Sequence, residues 1–593
     1  WNGNSFMIVD VDGNDVIFHS VEICPVDRPI SGNPEWGGPD LMRFGFEPVS
    51  GYYNQYNSNP NKVAMSTDSN TWPYSWPNEE CDWNGGSVKA PAEFKQAFSQ
   101  LTTGGWLAVS GNPDFGGQGM PKMLGCLIEE MFWASNASLY LYGTLTVGAS
   151  LCIDSHGTES QKESFLPKLY SGTWTGAMAL TESHAGTDLG LIRTKAEPQS
   201  DGSYLVTGTK IFITSGEHDM AENIIHLVLA KLPDAPPGTK GISLFIVPKY
   251  LIDENGNLGE RNSWASGSLE HKMGIKGSAT SVINYDQAHG YLLGEENQGL
   301  NTMFTMMNYE RLSVGLQGLG SGDLAYQQGA SYAKERVQGR SARGLQNSEG
   351  EADSLLVHAD VRRMLLAQRA YNEAGRAFGL FVGMQLDLAK YKNDKQAQKF
   401  VDLLTPVAKA FLSDKGFDGA VMAQQVFGGH GYVKEWGVEQ IVRDARIAQI
   451  YEGTNGVQAF DLVARKILKD GGQGMRDFVD YMRSVEFDPV YRAVLEENFV
   501  RLIAVTDGIV QKSQADPDLP GAVSTDYLEL VGLICYAWLW ARMSLVALND
   551  EFGIAKKQTA RFFFSRLLPK TLSLEKSISC TSEVLMDFSG ESF

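Results

Sequence analysis

The chain has 593 residues, which is enough for three or four domains, and its 43% hydrophobic content supports large buried cores. Its formal net charge of −20 argues against nucleic acid as a partner, because no basic patch offsets the repulsion of phosphates. The six cysteines show neither CxxC nor metal-ligand spacing and the nine histidines form no HxH or HExxH pair, which predicts a reducing compartment and no bound metal.

The first 76 residues differ in composition from the rest of the chain. Asn, Gly, Pro, Trp and Tyr are frequent there, as in NQYNSNPN at 54–61. This composition predicts turns and short strands, and residues 1–76 receive no functional assignment. Over the whole chain no apolar run reaches the length of a membrane span and no charged leader precedes an apolar stretch. We therefore expect no transmembrane segment and no secretion.

The next three segments read as helices, then strands, then helices. The apolar run at 123–153 predicts a buried pair of helices, and alternating runs after residue 174 predict a β domain. Long helical patterns return after residue 290 and are interrupted by a polar loop at 341–354. The GLGSG run at 318–322 lies inside a helical pattern with no strand before it, so it predicts close helix packing rather than a dinucleotide-binding loop. No internal repeat is visible.

The C-terminal part continues as helices. GGQG at 471–474 predicts a linker, and 475–593 predict further helices around the Pro-rich break ADPDLPGA at 515–522.

The YEGT turn at 451–454 is the most informative stretch. A helical apolar pattern begins at Val457, and Thr454 or Asn455 is placed to cap that helix. A carboxylate fixed at this junction, Glu452, is suited to proton abstraction if its surroundings raise its pKa. The alternative reading of an isolated Glu-Gly is a solvated loop glutamate.

This turn and four further blocks resemble the acyl-CoA dehydrogenase family, over roughly residues 77–470. The blocks occur in the family's order: AMALTESHAGTDLGLIRTKAE at 177–197, GTKIFITSGEHDM at 208–220, HKMGIKGSATSVINYD at 271–286, MMNYERLSVGLQGLG at 306–320 and QQVFGGHGYVKEWGVEQIVRDARIAQIYEGT at 424–454. The long C-terminal extension and ERVQGRS at 335–341 are most similar to the large 3-(methylthio)propanoyl-CoA dehydrogenase-like subtype.

The resemblance implies an α+β fold that is mostly α. It comprises an N-terminal helical domain at 77–173, a middle β domain at 174–289, and a C-terminal four-helix bundle with the catalytic base at 290–470. Residues 471–593 form an additional C-terminal helical domain.

The resemblance also implies an FAD site in the β domain. Thr181 matches a residue that bonds the isoalloxazine edge, Thr187 matches a phosphate-side hydroxyl, and Thr214 matches a residue near flavin N5. Phe212 replaces the family's common tryptophan against the ring. Because Phe212 and Thr214 are two residues apart in a strand, we expect both to lie on one face of the sheet.

Further FAD contacts are implied from the helices. Arg336 matches an arginine that reaches the FAD pyrophosphate of a neighbouring subunit, and a planar cation suits phosphate oxygens. The segment containing Gln425, Phe427, Gly428 and Gly429 matches one that contacts the same FAD across a dimer. Thr454 is also placed among the cofactor contacts. The chain is therefore expected to form a homodimer.

Two glutamates compete for the role of base. Glu452 occupies the family's usual position, and Glu310 lies where some members carry their base instead. Glu452 is our assignment because its YEGT turn is intact, and Glu310 is expected to pair with Arg311 or another cation near the substrate. Two carboxylates facing one thioester would repel, so one would titrate high. Arg311 matches a residue that contacts CoA.

The implied activity is FAD-dependent α,β-dehydrogenation of an acyl-CoA to a trans-2-enoyl-CoA in fatty acid β-oxidation. Electrons would pass to an electron-transferring flavoprotein, in a bacterial cytoplasm or a mitochondrial matrix. One alternative is an acyl-CoA oxidase that uses oxygen. The other is a non-catalytic assembly or binding protein that keeps the fold.

Overall fold

The computed structural model describes residues 80–253, 256–344, 346, 348 and 350–593. The expectation of turns and short strands in residues 1–76 lies outside these residues. The described chain divides into two compact units, one ending at Ser313 and the other beginning at Val314. The division falls inside one long helix, Gly299–Glu335, which is α4 in the numbering used below.

Three α-helices of the first unit precede its sheet, and the first part of α4 follows it. They are α1 (Ala92–Thr103), α2 (Lys122–His156) and α3 (Glu159–Tyr170), after a small hairpin of β1 (Asp82–Trp83) and β2 (Val88–Lys89). Asn136 interrupts α2 with φ −158° and ψ 94°, and its side chain accepts a hydrogen bond from the Leu139 amide. The Asn side chain therefore caps a second helical segment. This confirms the predicted buried pair of helices.

A mixed seven-stranded sheet forms the rest of the first unit. Its strands are β3 (Trp174–Ala179), β4 (Lys195–Pro198), β5 (Tyr204–Thr214), β6 (Asn223–Lys231), β7 (Ile242–Pro248), β10 (Trp264–Leu269) and β11 (Thr280–Leu292). The order is β10-β11-β5-β4-β6-β3, and β7 pairs with both β6 and β11. A separate hairpin joins β8 (Tyr250–Ile252) and β9 (Leu258–Arg261). The alternating sequence pattern thus predicted the β region correctly.

Strand β6 shows why the sheet has two apolar sides. Alternate side chains of a strand point to opposite faces. Leu227 and Leu229 join a core with helices α2, α3 and α4, while Val228 and Ala230 join a second core on the other face. Both faces of β6 are buried, which explains its nearly continuous apolar sequence.

The second unit begins with the remainder of α4. It continues with α5 (Ala359–Lys392), α6 (Lys395–Phe427), α7 (Val438–Arg446), α8 (Asn455–Phe460), a π-helical segment (Asp461–Ile467) and α9 (Leu468–Asp470). Residues 341–344 and 350–354 are non-helical, in agreement with the predicted polar loop.

Helices α4 and α6 cross at glycines. A Cβ built on Gly416 would overlap the carbonyl of Gly318, and one on Gly318 would overlap Ser413. A Cβ on Gly315 would lie 2.7 Å from the Ala408 oxygen. The two backbones are in direct contact, which confirms the prediction of close helix packing at 318–322.

The remaining helices complete the second unit. They are α10 (Gln473–Ser484), α11 (Arg492–Lys512), α12 (Leu519–Val546), α13 (Glu551–Phe562), a π-helical segment (Phe563–Leu567), α14 (Lys570–Ile578) and α15 (Glu583–Met586). The expected GGQG linker is wrong in its extent. Gly471 and Gly472 form a left-handed turn and α10 begins at Gln473, because paired positive-φ glycines end one helix and allow the next to start.

The expectation that no segment spans a membrane stays a prediction. Helix α12 is long and apolar enough to do so by length and composition alone. Its most apolar window is 72% buried, as in the core helix of a globular unit.

Candidate active site

Glu452 lies in an unusual backbone conformation in the second unit. Its φ is 56°, and that of Gly453 is 81°, so two successive residues are left-handed. This conformation costs a non-glycine residue roughly 1–2 kcal/mol and persists only where the surroundings impose it. The Glu452 side chain is half-buried, and Ile450 beside it is 45% exposed. The carboxylate is therefore held in a fixed turn that a ligand can approach.

Three buried groups hold this turn. The Gln458 amide donates to the Glu452 carbonyl at 2.9 Å, and the Lys409 ammonium donates to the Gly453 carbonyl at 2.8 Å. The Tyr451 hydroxyl donates to the Gln317 side chain. None of these contacts was predicted, because Lys409 and Gln317 are far from the turn in sequence.

The start of helix α8 decides between the two candidate caps. The Thr454 hydroxyl accepts from the Val457 amide at 3.2 Å, so Thr454 is the N-cap. Asn455 is the first helical residue instead, and its side chain bonds Lys409 and Asp414. The Thr454 hydroxyl thus caps the N-terminus of α8, and its contact with FAD stays a prediction.

Strand β5 carries a bulge at Phe212. Between the pairs Lys210–Ile283 and Ile213–Ser281, β5 has one more residue than β11, and Phe212 has φ 59°. The bulge interrupts the regular alternation between Lys210 and Ile213, but Phe212 and Thr214 still lie on the same side of Ile213. Ile213 is 1% exposed, whereas Phe212 is 59% exposed and Thr214 is half-buried. The bulge leaves both predicted flavin contacts on the accessible side of the strand.

Thr181 lies beside this bulge. Its carbonyl accepts from the Ile211 amide at 2.9 Å, so the segment after β3 runs along β5. Thr181 is half-buried and Thr187 is exposed further along the same loop. The structure therefore places Thr181 against Ile211, the residue before Phe212, and Thr187 at the surface.

A buried ion pair under this loop was missed from the sequence. The Lys210 ammonium donates to Glu182 at 2.9 Å and to the Leu180 carbonyl at 2.9 Å. Glu182 also accepts from the amides of Arg193 and Thr194 at 2.7 and 3.0 Å. These bonds tie both ends of the loop that carries Thr181 and Thr187 to β5. The sequence feature that could have indicated this pair is Lys210, a lysine within a predicted strand.

The pair remains ionised at neutral pH. Burial favours a higher pKa for Glu182, but the Lys210 charge and hydrogen bonds from Thr194 and Arg193 outweigh it and lower the pKa to about 2. Burial lowers the pKa of Lys210 to about 8, and the Glu182 charge opposes that shift. Each charge stabilises the other in a region that water does not reach.

The predicted dimer-side contacts share one end of the second unit. Tyr332 stacks on Phe427 with ring centroids 4.1 Å apart, which joins the end of α4 to the end of α6. Arg336 and Gln425 are both exposed there. Gly428 and Gly429, which follow Phe427, have open space where a Cβ would stand. The structure thus gathers these predicted residues at one exposed end.

Glu310 and Arg311 lie in the first unit with different surroundings. Glu310 is 2% exposed and accepts from the Thr144 hydroxyl at 3.3 Å. Its carboxylate occupies space left by Gly148, where a Cβ would lie 2.6 Å away. Arg311 is half-buried and donates to the Asn308 side chain at 3.3 Å. Glu310 is therefore packed between α2 and α4.

Among residues 80–593, leaving out those not described, no group of three or more His, Cys, Asp or Glu side chains is arranged to hold a metal ion. Five cysteines of this region are free thiols: Cys81, Cys126, Cys152, Cys535 and Cys580.

Two buried histidines of the β domain predict acid sensitivity. His218 Nδ1 accepts from the Met220 amide and its Nε2 lies 2.9 Å from Thr175 Oγ1, while His226 bonds the Gly216 carbonyl. A proton on His218 Nδ1 would face another N–H. Burial is the main cause that lowers the pKa of both histidines to about 3.

We expect the free energy of unfolding to fall as the pH drops from 7 to 5. Unfolded histidines take up protons near pH 6.5, so the unfolded chain binds more protons between pH 3 and 6.5, and stability is lost as the pH falls through that window. Each histidine contributes a loss of roughly 2 kcal/mol at pH 5. Urea unfolding at pH 7, 6 and 5 measures it. His226→Gln should flatten the slope and the exposed His271→Gln should not; equal slopes in all three proteins would contradict the assignment.

Sequence comparison defines the class to which this fold and turn belong. Residues 79–173, 177–288 and 297–468 match the N-terminal, middle and C-terminal domains of acyl-CoA dehydrogenases. Residues 473–589 match a domain described as acetyl-CoA dehydrogenase C-terminal like. The chain belongs to the acyl-CoA dehydrogenase family, and it is an FAD-dependent oxidoreductase of that family.

Individual relatives agree with this placement. The chain is 39% identical to 3-methylmercaptopropionyl-CoA dehydrogenase of Ruegeria pomeroyi, over 84% of this chain and 86% of that protein. It is 34% identical to broad-specificity linear acyl-CoA dehydrogenase FadE5 of Mycobacterium tuberculosis, over 86% and 88% of the two chains. Butyryl-CoA dehydrogenase from Megasphaera elsdenii has a similar solved structure, with 29% identity, a TM-score of 0.53, and coverage of 63% and 89%. These relatives favour a dehydrogenase over the oxidase and the non-catalytic alternatives.

The residues of the β domain fit the FAD that the family uses. Phe212 carries an exposed aromatic ring, the preceding residue Ile211 bonds the Thr181 carbonyl, and Thr214 lies two residues further along the strand. In the described part of the chain, neither threonine hydroxyl makes a hydrogen bond within the protein. Phe212 would cover the flavin ring, while the two hydroxyls would bond its polar edge. FAD, when bound, supplies the two-electron acceptor for the hydride that leaves the β-carbon of the substrate.

Proposed function

We propose that Glu452 is the base that removes the α-proton of an acyl-CoA thioester, as the β-hydrogen leaves with its electron pair and a trans-2 double bond forms. The observation that carries this role is the left-handed turn, which presents a half-buried carboxylate on a backbone fixed by Gln458 and Lys409. A positioned base and a stabilised enolate oxygen are what the weakly acidic α-hydrogen requires.

The thioester oxygen needs hydrogen-bond donors as its negative charge develops. We assign the backbone N–H of Glu452 to this task, together with a hydroxyl of the FAD ribityl chain, as the family resemblance implies. Hydrogen bonds on both sides restrain this N–H. Before it in the chain, the Tyr451 hydroxyl donates to the Gln317 side chain, and after it the Glu452 carbonyl accepts from the Gln458 side chain. Preorganised donors of this kind are a major source of catalytic rate.

Glu310 is not the base in this proposal. Its 2% exposure and its bond from Thr144 suit a packed carboxylate of the helical layer better than a base that must meet substrate. Arg311, half-buried on the same helix, is assigned to the CoA portion of the substrate, where its charge would meet phosphate.

The test of function is anaerobic bleaching of the bound flavin by a panel of acyl-CoAs. The panel contains 3-(methylthio)propanoyl-CoA, butanoyl-CoA and longer linear chains, because relatives are named for substrates of each kind. Bleaching by at least one member is expected, and the fastest defines the substrate class. Oxygen consumption at the rate of turnover would instead favour an oxidase, and a chain that stays colourless with FAD would contradict the proposal.

We propose an electron-transferring flavoprotein as the acceptor and the cytoplasm as the location.

We expect a homodimer with about one non-covalent FAD per chain. Arg336 and Gln425 are exposed at the end of the second unit that also carries Tyr432 at 84% and Val433 at 42% exposure. Aromatic and apolar side chains of this kind favour an interface, and a partner's FAD would meet the Arg336 charge. Light scattering with flavin absorbance measures mass and FAD together. Tyr432→Glu should yield monomers that lose FAD; a flavin-loaded monomer of the unchanged protein would refute the dimer.

A further inference from the structure

Lys409 is a buried cation aimed at the turn that holds Glu452. It lies on α6 with 0% exposure. Its ammonium donates to the Gly453 carbonyl at 2.8 Å and to Asn455 Oδ1 at 2.7 Å. Burying an ammonium group is costly unless its donors find acceptors. Here the acceptors are the two residues on either side of the Thr454 cap.

Gln458 is a second buried donor directed at the same turn. It is 0% exposed, and its amide nitrogen bonds the Glu452 carbonyl at 2.9 Å. A Cβ on Gly453 would lie 2.7 Å from that nitrogen, so the turn and the amide are in close contact. Among the described residues its Oε1 atom is buried without a hydrogen-bond partner. Within the described part of the chain, the hydrogen bond of the Gln458 side chain is therefore made to the turn.

The two donors fix successive peptide planes. The carbonyl of Glu452 belongs to the peptide that joins it to Gly453, and the carbonyl of Gly453 belongs to the next peptide. With both carbonyls bonded from the protein interior, neither plane can rotate without breaking a buried hydrogen bond. Leaving a buried hydrogen bond unmade is costly, and this cost opposes the return of Glu452 from its left-handed conformation to a relaxed one.

We propose that Lys409 and Gln458 are positioning residues, which hold Glu452 in its left-handed conformation for proton abstraction. This inference rests on the proposed role of Glu452 as the base. Lys409 acts through Gly453 and Asn455, and Gln458 acts through the Glu452 backbone. Their loss should slow the removal of the α-proton while leaving the binding of acyl-CoA and FAD unchanged.

The test replaces Lys409 with Met, which matches its length and removes its charge. Lys415→Met is the matched control, because Lys415 lies on the same helix, is 8% exposed, and bonds Glu529 rather than the turn. A 3-thia-acyl-CoA has sulfur in place of the β-carbon, so its α-hydrogen exchanges with D2O without hydride transfer. Mass spectrometry then measures proton abstraction alone, beside flavin bleaching, KM and FAD content.

We expect Lys409→Met to slow both α-hydrogen exchange and flavin bleaching at saturating substrate by 10- to 100-fold, since a displacement of about 1 Å costs up to roughly 10²-fold. KM and FAD content should stay within about twofold, and Lys415→Met should keep the wild-type rates. Gln458→Met should slow α-hydrogen exchange by a similar factor. It tests the same proposal if Lys409→Met fails to fold.

The outcomes separate this inference from the proposed function. If a folded Lys409→Met or Gln458→Met protein exchanges the α-hydrogen at the wild-type rate, the positioning role is overturned. In that case slow exchange in Glu452→Gln still supports Glu452 as the base. Equal slowing in Lys415→Met also overturns it, because the effect would then be general to buried lysines of α6. Wild-type exchange in Glu452→Gln overturns the proposed function itself.

Discussion

Glu452→Gln should bind acyl-CoA and FAD and yet reduce its flavin several orders of magnitude more slowly than the unchanged protein. Removal of a general base costs roughly 10²–10⁴-fold, and the same residue also carries the N–H that we assign to the thioester oxygen. Gln is close to Glu in size and can keep the left-handed turn. Rapid mixing with a saturating acyl-CoA, followed by flavin absorbance, measures the loss.

Glu310→Gln is the matched control for this change. It removes the competing carboxylate, keeps an oxygen for the Thr144 hydroxyl, and should retain most of the activity. If Glu310→Gln is inactive and Glu452→Gln reduces flavin normally, the base has been assigned to the wrong glutamate.

The second large effect is expected when one member of the Glu182–Lys210 pair is removed. Glu182→Gln leaves the ammonium of Lys210, which is 0% exposed, without its carboxylate. Breaking a buried pair in this way destabilises by roughly 3–5 kcal/mol. The loop that carries Thr181 and Thr187 should lose one of its attachments to β5, so FAD should dissociate more readily.

Urea unfolding and the FAD content after gel filtration measure the two effects. Glu182→Gln with Lys210→Met should recover part of the stability, because the unpaired charge is gone, while Gln keeps one of the two oxygens that accept from the Arg193 and Thr194 amides. Glu159→Gln is the control: it breaks an exposed pair with Lys162 and should cost about 0.5 kcal/mol or less. Equal destabilisation by Glu159→Gln and Glu182→Gln would contradict the role of burial.

The sequence predicted features that depend on local pattern. The β region, the packing of 318–322 and a helix cap at Thr454 or Asn455 follow from periodicity and from residue types with strong local preferences, and the structure selects Thr454 as the cap. The relative order of helices, strands and helices followed from the same signals together with the family motifs.

Features set by distant contacts were missed. Phe212 sits in a bulge because β5 pairs with β11 in a shifted register, and nothing local to Phe212 specifies that register. The turn of Glu452 and Gly453 is bonded by Lys409, which lies more than forty residues earlier. The Lys210–Glu182 pair joins residues 28 positions apart. In each case a partner remote in sequence decides the conformation of the residue.

The glycine crossing of α4 and α6 limits how this protein can be engineered. Replacing a glycine inside a helix with alanine normally gains about 1 kcal/mol of helix propensity and is a common route to thermal stability. At Gly318 and Gly416 the added methyl group has no room, since each would overlap backbone atoms of the facing helix. A survey that ranks substitutions by propensity would select both positions, and both would force the helices apart. Stabilisation should be sought at helix glycines such as Gly508 and Gly521, where a methyl group meets open space.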